Sequence, residues 1–308
     1  MEFRLLPGDT KEPIVHLAVS ADGTTCFAGS SAGSFFKYSL DGGSPRKLES
    51  PRHYASVTGI SFIGSTGDAI AAALSAPATG DVVRLYAAGL VELLYADAPH
   101  PFWGVTMCPV ADFGLLGSGE ELLKWFVHEK SYLPVDIPLG VQVRASAFKG
   151  RSQNGVVVGH KDGTGFAGRY EPKPDSGRVV ALATPALPAL ECVASNAAGT
   201  LFLAGGLPGG LLEIGDSYET RVVPGPENAV VHGIAFHPKA GWAMLATGPV
   251  KGSSKSAALY RYEPGTGVLT VLHEGGPGVG AFSCVVILPQ GDRALVGTAA
   301  GQLLQVTL

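Results

Sequence analysis

The sequence predicts an all-β chain, a seven-bladed β-propeller with four antiparallel strands in each blade. Two repeated motifs and the way in which the chain ends predict this fold. One short apolar motif with a polar member recurs seven times at a nearly constant interval, and a second motif precedes each copy. A unit of about 44 residues with four short strands, repeated seven times, is typical of a seven-bladed propeller.

The first motif has two apolar residues, a polar residue and usually an aromatic residue, most completely in Leu122-Leu123-Lys124-Trp125. It predicts the third strand of each blade. Its polar members stand at positions 37, 84, 124, 169, 213, 261 and 305, so the intervals are 47, 40, 45, 44, 48 and 44 residues. An ordinary sandwich or a smaller barrel would not repeat its strands in this fixed order, so the spacing favours the propeller.

The second motif predicts the first strand of each blade. It opens with a large apolar residue and then turns to small ones, at 15–19, 57–61, 102–106, 143–147, 190–194, 231–235 and 282–286. Turn residues such as Asp22-Gly23 follow it. An apolar segment ending in small residues, such as 156–159, predicts the second strand, and segments such as 268–272 predict the fourth.

The N-terminal segment can supply the strand that the last blade lacks. The last motif, at 303–306, is a third strand, and only two residues follow it. Its outer partner can be the alternating segment at residues 2–6. That pairing would join the last blade to the first and remove an exposed strand edge. Residues 1–308 are therefore predicted to form a single propeller domain.

Composition limits the function classes. With 46% hydrophobic and 16% charged residues the chain is not predicted to be disordered, and a net charge of −4 argues against nucleic-acid binding. No run of 18 apolar residues predicts a membrane span, and no leader pattern opens the sequence, so we expect a cytoplasmic protein. The four cysteines never form a C-x-x-C pair, which predicts neither a disulfide framework nor a metal site.

The sequence resembles the WD-repeat family over its whole length. The third-strand motif is similar to that family's apolar-apolar-polar-Trp strand, and Ser20-Ala21-Asp22-Gly23 and Phe236-His237-Pro238 are similar to its Phe-Ser-Pro-Asp-Gly turn. The Trp-Asp dipeptide is absent, and no Gly-His pair opens a repeat in the usual place. The resemblance implies a non-catalytic interaction scaffold or a subunit of a complex. The propeller itself would be monomeric within that complex, and it would bind proteins or peptides on the face where the first strands begin.

The second position of the first-strand motif supplies the candidate site. There polar or bulky residues interrupt an apolar pattern, and Trp and Arg are residue types that dominate interface hot spots. Two aromatic residues, Tyr54 and Phe102, lie near His53 and His100 in the segments that enter blades 2 and 3, and they belong to the same candidate surface. The predicted partner-binding residues are His16, Tyr54, Thr58, Phe102, Trp103, Arg144, Glu191, His232 and Ser283. The alternative is that these residues only fill the channel or bond to backbone groups.

Two other segments and two other functions stay open. Segments 73–80 and 248–256 are predicted to be long loops on the same face, for recognition or as tolerated insertions.

An enzyme or small-ligand receptor would use Glu191, Arg144 and His16 or His232. A carbohydrate-binding propeller would use Trp103, Tyr54 and Phe102 as platforms. No metal-spaced cluster or G-x-S-x-G run occurs, so no cofactor is predicted. Cys192 and Cys284 are expected to fill space near the axis.

Overall fold

The computed structural model describes residues 1–8, 10–76, 79–173, 176–208, 210–251, 253, 256–276 and 279–308. In these residues the chain forms seven four-stranded antiparallel sheets. No helix in the described ranges is long and apolar enough to cross a membrane. The prediction of an all-β seven-bladed propeller is confirmed.

The strands follow one another in chain order. They are β1 (Glu2–Leu5), β2 (Ile14–Val19), β3 (Thr25–Ser30), β4 (Phe35–Ser39), β5 (Arg46–Lys47), β6 (Ser56–Phe62), β7 (Ala69–Ala76), β8 (Thr79–Leu85), β9 (Val91–Ala98), β10 (Phe102–Met107), β11 (Phe113–Ser118), β12 (Glu121–Phe126), β13 (Ser131–Val135), β14 (Val141–Phe148), β15 (Gly155–Lys161), β16 (Thr164–Pro172), β17 (Gly177–Ala181), β18 (Leu190–Ser195), β19 (Leu201–Gly206), β20 (Leu211–Gly215), β21 (Thr220–Val223), β22 (Ala229–Phe236), β23 (Ala243–Pro249), β24 (Ala258–Glu263), β25 (Val268–Glu274), β26 (Phe282–Ile287), β27 (Arg293–Thr298) and β28 (Leu303–Thr307).

Blades 1 to 6 each use four consecutive strands, from β2–β5 to β22–β25, and blade 7 has the order β1-β28-β27-β26. The N-terminal strand therefore closes the ring as predicted. Glu2 pairs with Thr307 in an antiparallel register that continues to Leu5, and the Leu6 N–H donates to the Leu303 carbonyl at 2.9 Å. The ring of Phe3 also stacks on His273 of blade 6, with centroids 4.1 Å apart.

The apolar core lies between neighbouring blades. Phe27 of blade 1, for example, shares one buried cluster with Val57 and Val83 of blade 2. The second strand of a blade is enclosed on both faces, because a neighbouring blade packs on each side. Val156, Val157 and Val158 of β15 are accordingly all fully buried. This explains why second strands read as continuous apolar runs and not as alternating ones.

The polar member of the third-strand motif often contacts the next blade. Four of the seven reach residues close to 50 positions further along the chain, so they connect the same places in successive blades. The contacts are Lys37 Nζ donating to the Ala87 carbonyl, Lys124 Nζ donating to the Lys173 carbonyl at 3.1 Å, the Arg169 guanidinium 5.3 Å from the Tyr218 ring centroid, and Glu213 Oε1 accepting from Tyr262 Oη at 2.5 Å.

The loop predictions fared differently. The prediction of a long loop at residues 73–80 is wrong, because residues up to Ala76 belong to β7 and residues from Thr79 belong to β8. Residues 77 and 78 lie outside the described part. A connection does separate β23 from β24, although residues 252, 254 and 255 of segment 248–256 also lie outside the described ranges.

Candidate functional site

The first strand of each blade is its inner strand, the one next to the central cavity. Every inner strand carries a β-bulge in its first half. At each bulge the pairing with the second strand skips one residue, or shifts across two in blade 3. A bulge leaves its extra residue out of the ladder and turns that side chain in a new direction. The residues at the bulges are Val15, Thr58, Trp103, Arg144, Glu191, His232 and Ser283.

The pairing corrects the placement of His16. Ile14 pairs with Ser30 and His16 pairs with Gly29, so Val15 occupies the bulge in blade 1. His16 therefore stands one position later, in the column that contains Gly59, Gly104, Ala145, Cys192, Gly233 and Cys284 in the other blades. It is the single large residue in that column.

The small column lies where inner strands of neighbouring blades approach one another closely. A Cβ on Gly59 would stand 2.5 Å from the backbone nitrogen of Val105 in the next blade. Gly104 has φ = +125°, and a Cβ there would stand 3.0 Å from the Arg144 carbonyl oxygen. Blades 2 and 3 thus require glycine. The expectation that Cys192 and Cys284 lie near the axis is confirmed, since both line the central cavity and are free thiols.

The inner strands enclose a central cavity of about 240 Å³. Six of the predicted residues line it, and four of them come from the consecutive blades 3 to 6. The lining includes His16, Thr58, Trp103, Arg144, Glu191 and His232. The structure therefore brings together most of the column that the sequence singled out.

Arg144 is held from several directions. Its guanidinium carbon lies 4.4 Å from the Trp103 ring centroid, a cation–π arrangement. Its NH2 nitrogen lies 3.4 Å from His160 Nε2. Its Nε is enclosed and has no hydrogen-bond acceptor in the described part of the chain. The side chain is 21% exposed, so part of it remains accessible.

Glu191 faces Arg144 across a gap. Its Oε2 lies 3.7 Å from Arg144 Nε, which is an ion-pair distance but too long for a hydrogen bond. The carboxylate is 36% exposed. The two opposite charges are therefore adjacent without being joined by a hydrogen bond.

The remaining titratable groups of the cavity are uncharged at neutral pH. Burial lowers the pKa of His16 to about 4 and also lowers the pKa of His232, because enclosure disfavours the charged imidazolium. Burial raises the pKa of Cys192 and of Cys284 to about 12, so both remain protonated thiols. The formal charges of the lining are consequently those of Arg144 and Glu191.

Solved structures share this architecture. The chain aligns over 100% of its length with 98% of the structure of U3-55K, at 18% identity and a TM-score of 0.76. The RRP9 WD40 repeats are matched over 97% of their length at 17% identity, with a TM-score of 0.76. The propeller domain of Cps50 (Swd1) from Myceliophteria thermophila is matched over 100% at 12% identity, with a TM-score of 0.78. No protein-family model matches the sequence, and no curated protein matches it significantly.

The chain therefore shares the seven-bladed propeller fold of these structures, the RRP9 WD40 repeats among them. The tryptophan of the third-strand motif has a packing role in this propeller. Trp125, which stands in the most complete motif, is buried in blade 3, and its Nε1 has no hydrogen-bond partner in the described residues. The motif tryptophan is therefore retained here for packing against Tyr95 and Tyr132, and not as a hydrogen-bond donor.

Three predicted site residues do not face the cavity of the propeller. Phe102 is 1% exposed and belongs to the core between blades 2 and 3, and Tyr54 is 6% exposed with its ring 5.8 Å from that of Phe35. Neither offers a surface aromatic ring. The Ser283 hydroxyl donates to the carbonyl of Gly297 in β27 at 3.1 Å and to the carbonyl of Ile14 in blade 1. It therefore joins blade 7 to its neighbouring strands, as the backbone-bonding alternative expected.

His160 belongs to the site but was not predicted. It lies in β15, directly before the turn Lys161-Asp162-Gly163, whose Asp162 has φ = +51° and Gly163 φ = +77°. The pairing of β15 with β14, in which His160 lies opposite Gln142, brings the imidazole to Arg144. The sequence shows a Gly159-His160 pair. It does not show that His160 contacts Arg144, which lies 16 positions earlier in the chain. No group of three or more potential metal ligands occurs in the described ranges.

Proposed function

We propose that this propeller is a non-catalytic binding protein that holds a partner protein or peptide at the mouth of its central channel. One observation carries the proposal. Blades 3 to 6 present Trp103, Arg144, Glu191 and His232 at equivalent bulges around one cavity. A bulge that places bulky and charged side chains at a shared opening, in four blades in succession, is typical of a recognition surface.

The size of the cavity supports a macromolecular partner. Pockets for drug-sized small molecules usually have volumes of about 300–1,000 Å³. A cavity of about 240 Å³ is better suited to one inserted side chain of a larger partner, whose remaining contacts would lie on the rim.

Carbohydrate binding has less support. Its platforms would have been Trp103, Tyr54 and Phe102, but Tyr54 and Phe102 are buried in the core. One face of Trp103 is covered by the Arg144 guanidinium. A sugar would therefore find one aromatic ring with a single available face, where stacking sites need an open platform.

The proposal extends to the setting of the protein. The formal charge of −4 and the opposed charges of the cavity favour protein partners over nucleic acids and membranes. We place the protein in the cytoplasm, as a single propeller within a hetero-complex.

The test is affinity purification of the tagged propeller from its native organism at moderate salt, followed by mass spectrometry. The variant Trp103→Ala/Arg144→Glu removes the cation–π pair and reverses one charge. The matched control, Tyr132→Ala/Arg178→Glu, likewise replaces one aromatic residue by Ala and one Arg by Glu, but on the outer strands of blades 3 and 4. Melting curves of both variants verify that each is folded.

We expect a stoichiometric partner with the wild-type and control proteins that is lost from the channel variant. A partner kept by the channel variant would contradict the proposed site. A wild-type propeller that elutes alone from its native source would contradict the scaffold itself. Turnover of a substrate that depends on Glu191, abolished in Glu191→Gln, would contradict the non-catalytic part.

A further inference from the structure

The charged pair in the channel has unused hydrogen-bonding capacity. A guanidinium carries five N–H donors. In the described residues, Arg144 makes one hydrogen-bond contact, to His160, and its Nε–H has no acceptor. Glu191 makes no hydrogen bond in this part of the chain and contacts Arg144 only across 3.7 Å. Because Nε is enclosed, the donors within reach of a ligand are those on the accessible remainder of the guanidinium, beside the partly exposed and unbonded Glu191 carboxylate.

Thr58 adds a third polar group. The residue lines the same cavity and is 9% exposed, and its enclosed Oγ1 has no hydrogen-bond partner among the residues that the structure describes. Buried polar groups are normally satisfied, so an enclosed hydroxyl without a partner beside a cavity indicates a place for a ligand atom.

Electrostatics then restricts the ligand. The lining holds one positive and one negative charge, 3.7 Å apart, and its histidines and thiols are neutral at pH 7. A carboxylate attracted by Arg144 is repelled by Glu191. An ammonium or guanidinium group attracted by Glu191 is repelled by Arg144. A neutral group with an acceptor beside a donor meets neither repulsion.

We propose that the channel recognises a carboxamide, the side chain of a Gln or Asn residue of the partner. Its carbonyl oxygen accepts from the Arg144 guanidinium, and its NH2 group donates to the Glu191 carboxylate. This inference rests on the proposed function, because it names the residue class that enters the same cavity.

The geometry explains why the two charges are held apart. Trp103 and His160 fix the Arg144 guanidinium, so it does not close on Glu191 to form a hydrogen-bonded pair. A tightly hydrogen-bonded ion pair would offer little to a ligand. A guanidinium that is held in place beside an unbonded carboxylate is preorganised for a planar ligand whose acceptor and donor are adjacent, which lowers the entropic cost of binding.

The test uses three blocked amino acids that differ only in their side chains: the N-acetyl, N′-methylamide derivatives of Gln, Glu and Lys. Each is titrated into ¹⁵N-labelled protein at pH 7 while the indole N–H resonances are followed by NMR. The chain has three tryptophans. Trp125 and Trp242 are buried away from the cavity and serve as internal references, and Trp103→Phe assigns the reporting resonance.

We expect the Gln derivative to shift the Trp103 resonance with a Kd at least about tenfold lower than the Glu and Lys derivatives, since each charged probe leaves one like charge opposed. Glu191→Gln should improve binding of the Glu derivative, and Arg144→Gln should improve binding of the Lys derivative. Glu171→Gln, on the outer part of blade 4, should change none of these affinities.

Equal or tighter binding of the Glu or Lys derivative to the wild-type protein would overturn the inference, and so would the absence of any shift at Trp103. A free amino acid binding more tightly than the blocked Gln derivative would show that the pair reads a zwitterion instead. Failure here is distinct from failure of the proposed function, because a partner lost in the Trp103→Ala/Arg144→Glu purification would keep the channel as the binding site.

Discussion

Removing the Glu213 carboxylate tests how the blades are held together. Glu213 lies in β20 of blade 5 and is 6% exposed. Its Oε1 accepts from the hydroxyl of Tyr262, in blade 6, at 2.5 Å, and its Oε2 accepts from Arg221 Nε at 2.8 Å. The substitution Glu213→Ala leaves the fully buried Tyr262 with a hydroxyl that has lost its partner.

The expected cost follows from those contacts. A buried hydroxyl deprived of its acceptor costs about 1–3 kcal/mol, and the Gly265 N–H, which donates to the same carboxylate at 3.3 Å, loses an acceptor as well. The Arg221 pair adds little because its guanidinium is half exposed. For a chain of this size we expect Tm to fall by about 3–8 °C.

The assay is thermal unfolding followed by circular dichroism, with Glu171→Ala as the matched control. Glu171 is also paired with an arginine, at 2.6 Å from Arg178 Nε, but it lies on the outer part of blade 4. Its removal should shift Tm much less. If Glu213→Ala melts no lower than Glu171→Ala, the carboxylate does not join blades 5 and 6. In a Tyr262→Phe background, which lacks the hydroxyl, the additional effect of Glu213→Ala should become small.

Three further results are expected. Deleting residues 1–7 removes β1 and leaves the outer edge of β28 unpaired, so the truncated chain should melt below the full chain in calorimetry, and equal melting would refute the ring closure. Because burial lowers the pKa of His16 to about 4, the unfolded state binds a proton that the folded state excludes, and stability should fall by up to about 3 kcal/mol as the pH falls from above 6.5 to about 4. His16→Ala should remove that part of the loss in urea titrations at pH 7.5 and 4.5, whereas an unchanged loss would show that the imidazole is not responsible. Because burial raises the pKa of Cys192 to about 12, its alkylation by iodoacetamide at pH 8 should be about 1,000-fold slower than that of a thiol with a pKa of 9.0, measured by mass spectrometry with a urea-unfolded control, and rapid labelling of the native protein would contradict it.

The number and order of the strands could be predicted from the sequence. Strand formation depends on local patterns, namely apolar runs, alternation and turn residues such as Asp22-Gly23, and the first- and third-strand motifs each recur seven times. The pairing of β1 with β28 was also predictable, because an alternating segment at one end matched a missing strand at the other. The polar member of the third-strand motif marked the repeat, but its contacts with the next blade could not be predicted from one blade alone.

The composition of the site depended on tertiary structure. A bulge changes the pairing by one residue, and a shift of one residue exchanges the faces of a strand. Reading the motif from Val15 therefore put His16 in the wrong column, while the observed pairing puts it beside the glycines. Tyr54 and Phe102 were predicted to be exposed but are buried, because the packing of one blade on the next covers them. Local sequence determined which segments became strands. The close approach of seven inner strands around one axis decided which side chains entered the channel, and the pairing of β14 with β15 brought His160 to Arg144.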